Sequence, residues 1–190
     1  MDIKMLDINR EKWLLFIPSL LLVIIKTYLV FLIIFLLFPI IFIKHSYLIY
    51  FIIFFVLLFY GLAIANFSKK VKDYQIFKYF VYSSIFLILI FLVGFNFELI
   101  FLYSFFGIEF CNPIMLVIFF TFVWLILRLN GVFTSKYLEK FYNYTNENLF
   151  LLTSKLIYYS SYVGAHFIFF ILVPISFLKI NKNLDVNYTK

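Results

Sequence analysis

Only one cysteine, Cys111, is present, so neither an internal disulfide nor a multi-cysteine metal or iron–sulfur site can be built by this chain alone. Glycine (5) and proline (4) are scarce, and no Pro/Gly/Ser-rich linker or fixed-period repeat divides the chain, which therefore reads as one domain over residues 1–190. Charge is scarce as well. At 13% charged and 66% hydrophobic residues the chain lies far from the roughly 25% and 45–50% of a soluble domain, and it cannot hide that much apolar surface from water. The solvent expected for it is a bilayer. Apolar runs near twenty residues long, rather than alternating ten-residue strands, favour helices over a barrel.

The expected fold is therefore all-α: a polytopic transmembrane bundle of about five to six helices, with polar tails at 1–12 and 179–190. Trp13 to Ile43 would be roughly 46 Å long as one helix, so a break at Lys26 is expected, giving a short element at 13–25 and a span at 27–43. Lys44-His45-Ser46 reads as a turn before a span at 47–66, which stops at Lys69-Lys70-Val71-Lys72-Asp73. A span from about Phe77 ends at Gly94-Phe95-Asn96, and the next, 99–127, returns beside it. Residues 128–148 read as the longest polar connection, and a last helix occupies 149–178. Alternation of these spans puts Lys69, Lys70, Lys72, Arg128, Lys136 and Lys140 on one membrane face and Lys44, Lys179, Lys182 and Lys190 on the other. The formal net charge of +7 is explained by these loops, and no nucleic-acid groove or recognition helix is indicated.

The start of the chain lacks an Arg- and Ser-rich transit peptide, and no small-residue cleavage pair follows the first apolar run. Thirty phenylalanines with abundant Ile, Tyr, Lys and Asn are what AT-rich codons supply. An organelle-encoded, multi-pass membrane protein is the expectation.

Glu109 is the outstanding ionisable residue, because a carboxyl inside an apolar span is costly unless it faces protein or water. Pro113 withholds the N–H that would bond the Glu109 carbonyl, so a kink is expected there, and with it a polar spot able to hold water. A bland reading has Glu109 neutral and bonded to a neighbouring helix. Lys155, Tyr159, Tyr162 and His166 fall within about 60° of one another on a continuous helix, a stripe suited to a proton relay. Its bland reading has Lys155 snorkelling to the near surface. Glu98, Arg128 and Lys26 are read as interfacial. No nucleophilic triad, phosphate loop, metal cluster or haem-ligand pair is written in the chain.

The run Phe105-Phe106-Gly107-Ile108-Glu109, with Asn112 nearby, resembles the glutamate-bearing helix of the antiporter-like membrane-arm subunits of respiratory complex I, most like NADH dehydrogenase subunit two in a short or split form. Thr153-Ser154-Lys155-Leu156-Ile157-Tyr158-Tyr159-Ser160-Ser161 is similar to that family's next, lysine-bearing helix. The resemblance covers roughly 77–178, with a longer stretch between Glu109 and Lys155 than the family has. It implies a subunit of the mitochondrial inner membrane that contributes to proton translocation coupled to NADH:ubiquinone electron transfer, with Glu109 and Lys155 as the ionisable pair. It also implies that NADH, flavin (FMN), iron–sulfur clusters and ubiquinone are held by partner subunits, that this chain binds no cofactor or metal, and that its neighbours are other membrane-arm subunits and phospholipids such as cardiolipin. Complex I subunit six shares the membrane arm, but Gly94 and Gly107 supply its glycine-rich third helix poorly. Two further alternatives stand beside the resemblance. One is a non-catalytic scaffold of a respiratory assembly. The other is a different core subunit, such as one of cytochrome oxidase or the ATP synthase a subunit, whose essential-arginine helix Leu125-Ile126-Leu127-Arg128-Leu129-Asn130 resembles.

Overall fold

The structure, a computed structural model, describes the backbone of residues 5–7, 9–34, 39–105, 113–163, 165–180 and 183–185, and the side chains of 10–24, 51–90, 92, 117–163, 165–166 and 168–180. Six α-helices carry the described chain: α1 (Asn9–Ile34), α2 (Pro39–Val71), α3 (Tyr74–Phe105), α4 (Pro113–Thr145), α5 (Asn148–Ser160) and α6 (Leu172–Lys179). Two short 3-10 turns, Ser161–Val163 and His166–Ile171, lie between α5 and α6. The two polar tails pair as an antiparallel ribbon, β1 (Met5–Asp7) with β2 (Asn183–Asp185), in which Leu6 faces Leu184.

The all-helical architecture agrees with the sequence reading, but its punctuation does not. Lys26 lies inside α1, Lys44-His45-Ser46 inside α2 and Gly94-Phe95-Asn96 inside α3. A lysine or a lone glycine taxes a helix by at most about 1 kcal/mol and supplies no alternative partner for the backbone, so the ladder continues through it. The polar stretch 128–148 is helical to Thr145, because it is amphipathic: Tyr137, Leu138 and Phe141 are buried while Lys136, Glu139 and Asn143 face out. The breaks that do occur have specific chemistry. At 72–73, Lys72 takes a left-handed φ of 55°, and Asp73 then accepts the Gln75 N–H at 2.9 Å to start α3. At 146–147, Asn146 does the same with φ 53°, and Glu147 caps α5.

Antiparallel packing of sequence neighbours brings many helix ends to one pole. There Glu11 of α1 meets Lys70 of α2 at 2.6 Å, Asp73 meets Lys140 of α4 at 3.2 Å, and Lys12 donates to the Ile180 carbonyl after α6 at 2.9 Å. Just inside it, Phe67, Phe141, Phe150 and Phe177, one each from α2, α4, α5 and α6, form a fully buried aromatic cluster with ring centres 4.5–5.5 Å apart along its contacts. Each such burial stabilises the fold by about 1.5–3 kcal/mol, with about 1 kcal/mol more for each favourable ring pair.

The same contacts overturn the expected path of the C-terminal segment. Phe150 at the start of α5 touches Phe177 at the end of α6, and Thr153 lies 3.4 Å from Ser176. Residues 149–178 are therefore not one crossing helix but a hairpin that enters the bundle, turns and comes back. Lys179 thus lies at the pole of the 72–73 and 146–147 turns, not opposite it. Outside this core, Phe51–Val71 and Val117–Thr145 are long and apolar enough to cross a bilayer by length and composition. About half of the most apolar stretch of the first, and about a fifth of that of the second, is buried in the bundle. Phe120, Phe122, Trp124 and Leu125 are among the large apolar side chains left facing outward.

Candidate functional site at the apex of the C-terminal hairpin

α5 is thirteen residues long, about 20 Å, and its end is written in serines. Ser160 Oγ donates to the Leu156 carbonyl at 2.6 Å, and Ser161 Oγ donates to the Tyr158 carbonyl at 2.6 Å, so hydroxyls compete with the backbone for the last helical acceptors. The Ala165 N–H closes the turn on the Ser160 carbonyl at 3.1 Å. On the return, Pro174 sits third in α6, and its missing N–H leaves the Phe170 carbonyl without the bond that would merge the His166–Ile171 turn into one α-helix with α6.

The apex meets the middle of α4. Arg128, seventeen residues before the end of that helix, donates from Nη1 to the Tyr158 carbonyl at 2.9 Å and makes a short contact with Ser161 Oγ. Its guanidinium lies under the Tyr162 ring, 3.3 Å from the centroid, and 4.7 Å from that of Tyr158. A cation at the C-terminal end of α5 is also where the helix dipole favours one. One turn away, Trp124 Nε1 donates to the Tyr162 carbonyl at 2.7 Å.

Beneath this layer runs a fully enclosed polar row. His166 Nε2 donates to Asn130 Oδ1 at 2.9 Å, and Asn130 Nδ2 donates to the Ser83 carbonyl of α3 at 2.7 Å. Ser83 Oγ and Thr134 Oγ1 share a 2.6 Å hydrogen bond. His166, Asn130, Ser83 and Thr134 are all buried. Gly131 permits the approach: a methyl group there would overlap the Ser161 side chain and press on the His166 ring. Beside Ser83, a cavity of ≈ 20 Å³, the size of one water, is bordered by the side chains of Ser19, Tyr60, Ser84 and Tyr137 among others.

The structure places the sequence candidates unevenly. His166 stands at one end of the row, and Tyr162, half exposed, roofs Arg128. Lys155 and Tyr159 lie on the outer surface of α5, and the expected stripe is not continuous, because the helix ends at Ser160 before Tyr162 and His166 are reached. Glu109 lies outside the described residues. Pro113 opens α4, and the residues before it also lie outside those described, so the expected kink has no described helix on its N-terminal side. Asn130, Gly131, Thr134 and Ser83 join the site with no role expected of them from the sequence, and Arg128, expected at an interface, lies in mid-helix instead. A signal was present in Asn130/Thr134 and Gly131/Ser135, two small or polar pairs at four-residue spacing inside an apolar helix, the pattern of close helix contact. Ser135 indeed meets Ser154 of α5 at 3.0 Å.

The arrangement can hold a proton on an imidazole, orient that ring through an amide, and pass hydrogen-bond polarity along two hydroxyls that both donate and accept. Among the described residues, no group of three or more His, Cys, Asp or Glu comes together. Comparison with protein-family models, with curated proteins and with solved structures finds no match to this chain.

Proposed function

We propose that this chain is a multi-pass protein of the mitochondrial inner membrane and a membrane-arm subunit of a proton-translocating NADH:ubiquinone oxidoreductase, in which His166 is the proton-holding group of a buried relay. The observation that carries the reading is the row His166–Asn130–Ser83–Thr134, a titratable ring and two hydroxyls enclosed by a bundle whose outer surface is apolar. Non-helical backbone is tolerated at membrane depth where protein satisfies it, and here Arg128 and Trp124 donate to the Tyr158 and Tyr162 carbonyls. The resemblance of residues 77–178 to the antiporter-like subunits supplies the assembly, with flavin, iron–sulfur clusters and quinone in neighbouring chains. In this reading Asn130 positions His166 and does not itself carry the proton, since an amide gives up its hydrogens poorly. The row therefore orients the ring, and a proton exchanges with His166 by another route than Ser83 and Thr134. Arg128 is partly buried and bonded within its own chain, which speaks against the arginine presented to a second subunit that the ATP synthase reading requires.

The test is native electrophoresis of source membranes in mild detergent, with in-gel NADH oxidation and mass spectrometry of the active band. Stoichiometric co-migration with that band is expected, and migration with cytochrome oxidase or ATP synthase would remove the assembly. A scaffold role is the second reading, favoured by the use of Arg128, Asn130 and Ser161 in tying the hairpin down. His166→Gln in the assembled complex decides between them: a lowered proton-to-electron ratio supports the relay, and an unchanged ratio with normal assembly supports the scaffold.

A further inference from the structure

At the pole, Lys70 and Lys140 are neutralised by Glu11 and Asp73. Lys78 of α3 and Lys136 of α4 are different: both are exposed, and among the described residues neither forms an ion pair. Glu139, one turn from Lys136, is exposed and makes no ion pair either. The Asp73–Lys140 and Ser83–Thr134 contacts fix the antiparallel register of α3 and α4 and set the two lysines level with each other. Between them lies an aromatic shelf. The Lys78 ammonium is 5.8 Å from the Tyr82 ring centre, and that of Lys136 is 5.6 Å from Tyr79 and 5.9 Å from Phe133. Tyr82 and Phe133 touch at 5.1 Å, and Phe86 stacks on Phe133 at 5.7 Å.

From this level away from the pole the face turns apolar. Ile85 and Leu92 on α3, and Leu125 and Phe122 on α4, are exposed at helical spacings that keep them in line with Lys78 and Lys136. We propose that the shelf binds the headgroup phosphate of an anionic phospholipid, with its acyl chains lying along that apolar face. The inference rests on the membrane reading above. Charge complementarity gives the sign of the headgroup, since two exposed ammonium groups, neither in an ion pair among the described residues, outnumber the one exposed carboxylate beside them, Glu139. Tyrosines between them have the amphipathic character that settles at a membrane–water boundary, and the lysine stems can lie along the rings while their heads stay in the polar layer. A soluble phosphate would use the two lysines and leave the apolar continuation without a role, so the lipid is the occupant that accounts for both.

The experiment begins with a carbonate wash of membranes containing the full chain, then exchange into nanodiscs of phosphatidylcholine with phosphatidylglycerol, and native mass spectrometry of lipids retained on the purified protein. The wild-type chain is expected to keep phosphatidylglycerol in preference to phosphatidylcholine. Lys78→Gln/Lys136→Gln should retain it about thirtyfold less, at about fivefold for each ammonium near a lipid surface. Lys69→Gln/Lys179→Gln, the same charge change elsewhere on the pole, should retain it fully, and Lys136→Arg should bind as the wild type does. Unchanged retention by the double variant, equal retention of the neutral lipid, or displacement by inorganic phosphate at matched concentration would each overturn the site. If carbonate strips the chain from the membrane, the membrane reading and the site fall together. If the chain stays and the double variant still holds phosphatidylglycerol, the site alone falls.

Discussion

α4 and the hairpin that follows it occupy similar lengths of chain and carry a similar density of polar residues, yet one runs unbroken for 33 residues and the other breaks in the middle. The difference lies in where the polar side chains find their partners. In α4, Arg128, Asn130, Thr134 and Ser135 bond outward to Tyr158, His166, Ser83 and Ser154, and Thr121 and Thr145, far apart on the helix, each donate singly to an α4 carbonyl. In α5, Ser160 and Ser161 fold back on the Leu156 and Tyr158 carbonyls, and Arg128 takes the Tyr158 carbonyl as well. A single hydroxyl bonded to its own helix does not end it, since Thr121, Thr153 and Ser176 donate to the Val117, Leu149 and Leu172 carbonyls in helices that continue. At the end of α5 two adjacent serines and a guanidinium converge on neighbouring carbonyls. The unbroken helix and the broken one are two halves of one device, since the first caps the second.

The largest test of that dependence is Arg128→Met. It removes the cap, the contact with Ser161 and the stacking on Tyr162 together, and about 3 kcal/mol of stability should go with them. For a chain of this size that is a fall of roughly 6–12 °C in Tm, read by thermal unfolding of the purified protein. Arg128→Lys should recover only part, because an ammonium cannot bond two acceptors from a planar fork while stacking on a ring. Gly131→Ala comes next, at about 2 kcal/mol, since the added methyl pushes on Ser161 and the apex has no slack. Pairing it with Ser161→Gly should give back more than half of the loss, and strict additivity would mean that the two residues are not in contact.

How much of this was legible in the sequence follows the same division. The helical class and the α2–α3 break were visible because long apolar runs and the Lys69-Lys70-Val71-Lys72-Asp73 cluster are local signals. His166 and Tyr162 stood out for their chemistry, but the stripe that joined them to Lys155 assumed a continuous helix. What ends α5 is side-chain competition for Leu156, Ile157 and Tyr158 carbonyls, assisted by a guanidinium thirty residues away in sequence, and no window of local composition contains that. By sequence Arg128 reads as a helix end, because its apolar run stops there. The helix continues because Tyr137, Leu138 and Phe141 have a pole to pack against, which only the tertiary structure supplies.

Smaller effects sharpen the contrast between apex and pole. His166→Leu leaves the Asn130 amide oxygen enclosed without its donor and should cost about 1–2 kcal/mol, whereas an equivalent loss at the hydrated pole should be milder. At that pole, burial works to raise the Asp73 carboxyl, but the Gln75 N–H, the Tyr144 hydroxyl and Lys140 together outweigh it and hold it below the usual carboxylate value. Its contribution is therefore fully present above the ordinary carboxylate pKa of about 3.9 and is lost as pH falls through the lower folded value. Asp73→Asn, which keeps the helix cap, should cost only about 0.5 kcal/mol at neutral pH and should flatten the acid limb of a stability–pH curve. A curve with an unchanged acid limb would show that Asp73 is not what titrates there.

The most direct measurement concerns the path of the hairpin. In a Cys111→Ser background, single cysteines at Asn146 and Lys179 would be labelled in sealed membrane vesicles with a maleimide that cannot cross the bilayer. The hairpin brings both residues to one pole, so the account predicts that both label from the same side and that both are protected in vesicles of the opposite orientation. Labelling of Asn146→Cys from one side and Lys179→Cys from the other would mean that residues 149–178 cross the membrane as one helix, without the turn that brings Ser161 and His166 to Arg128 and Asn130.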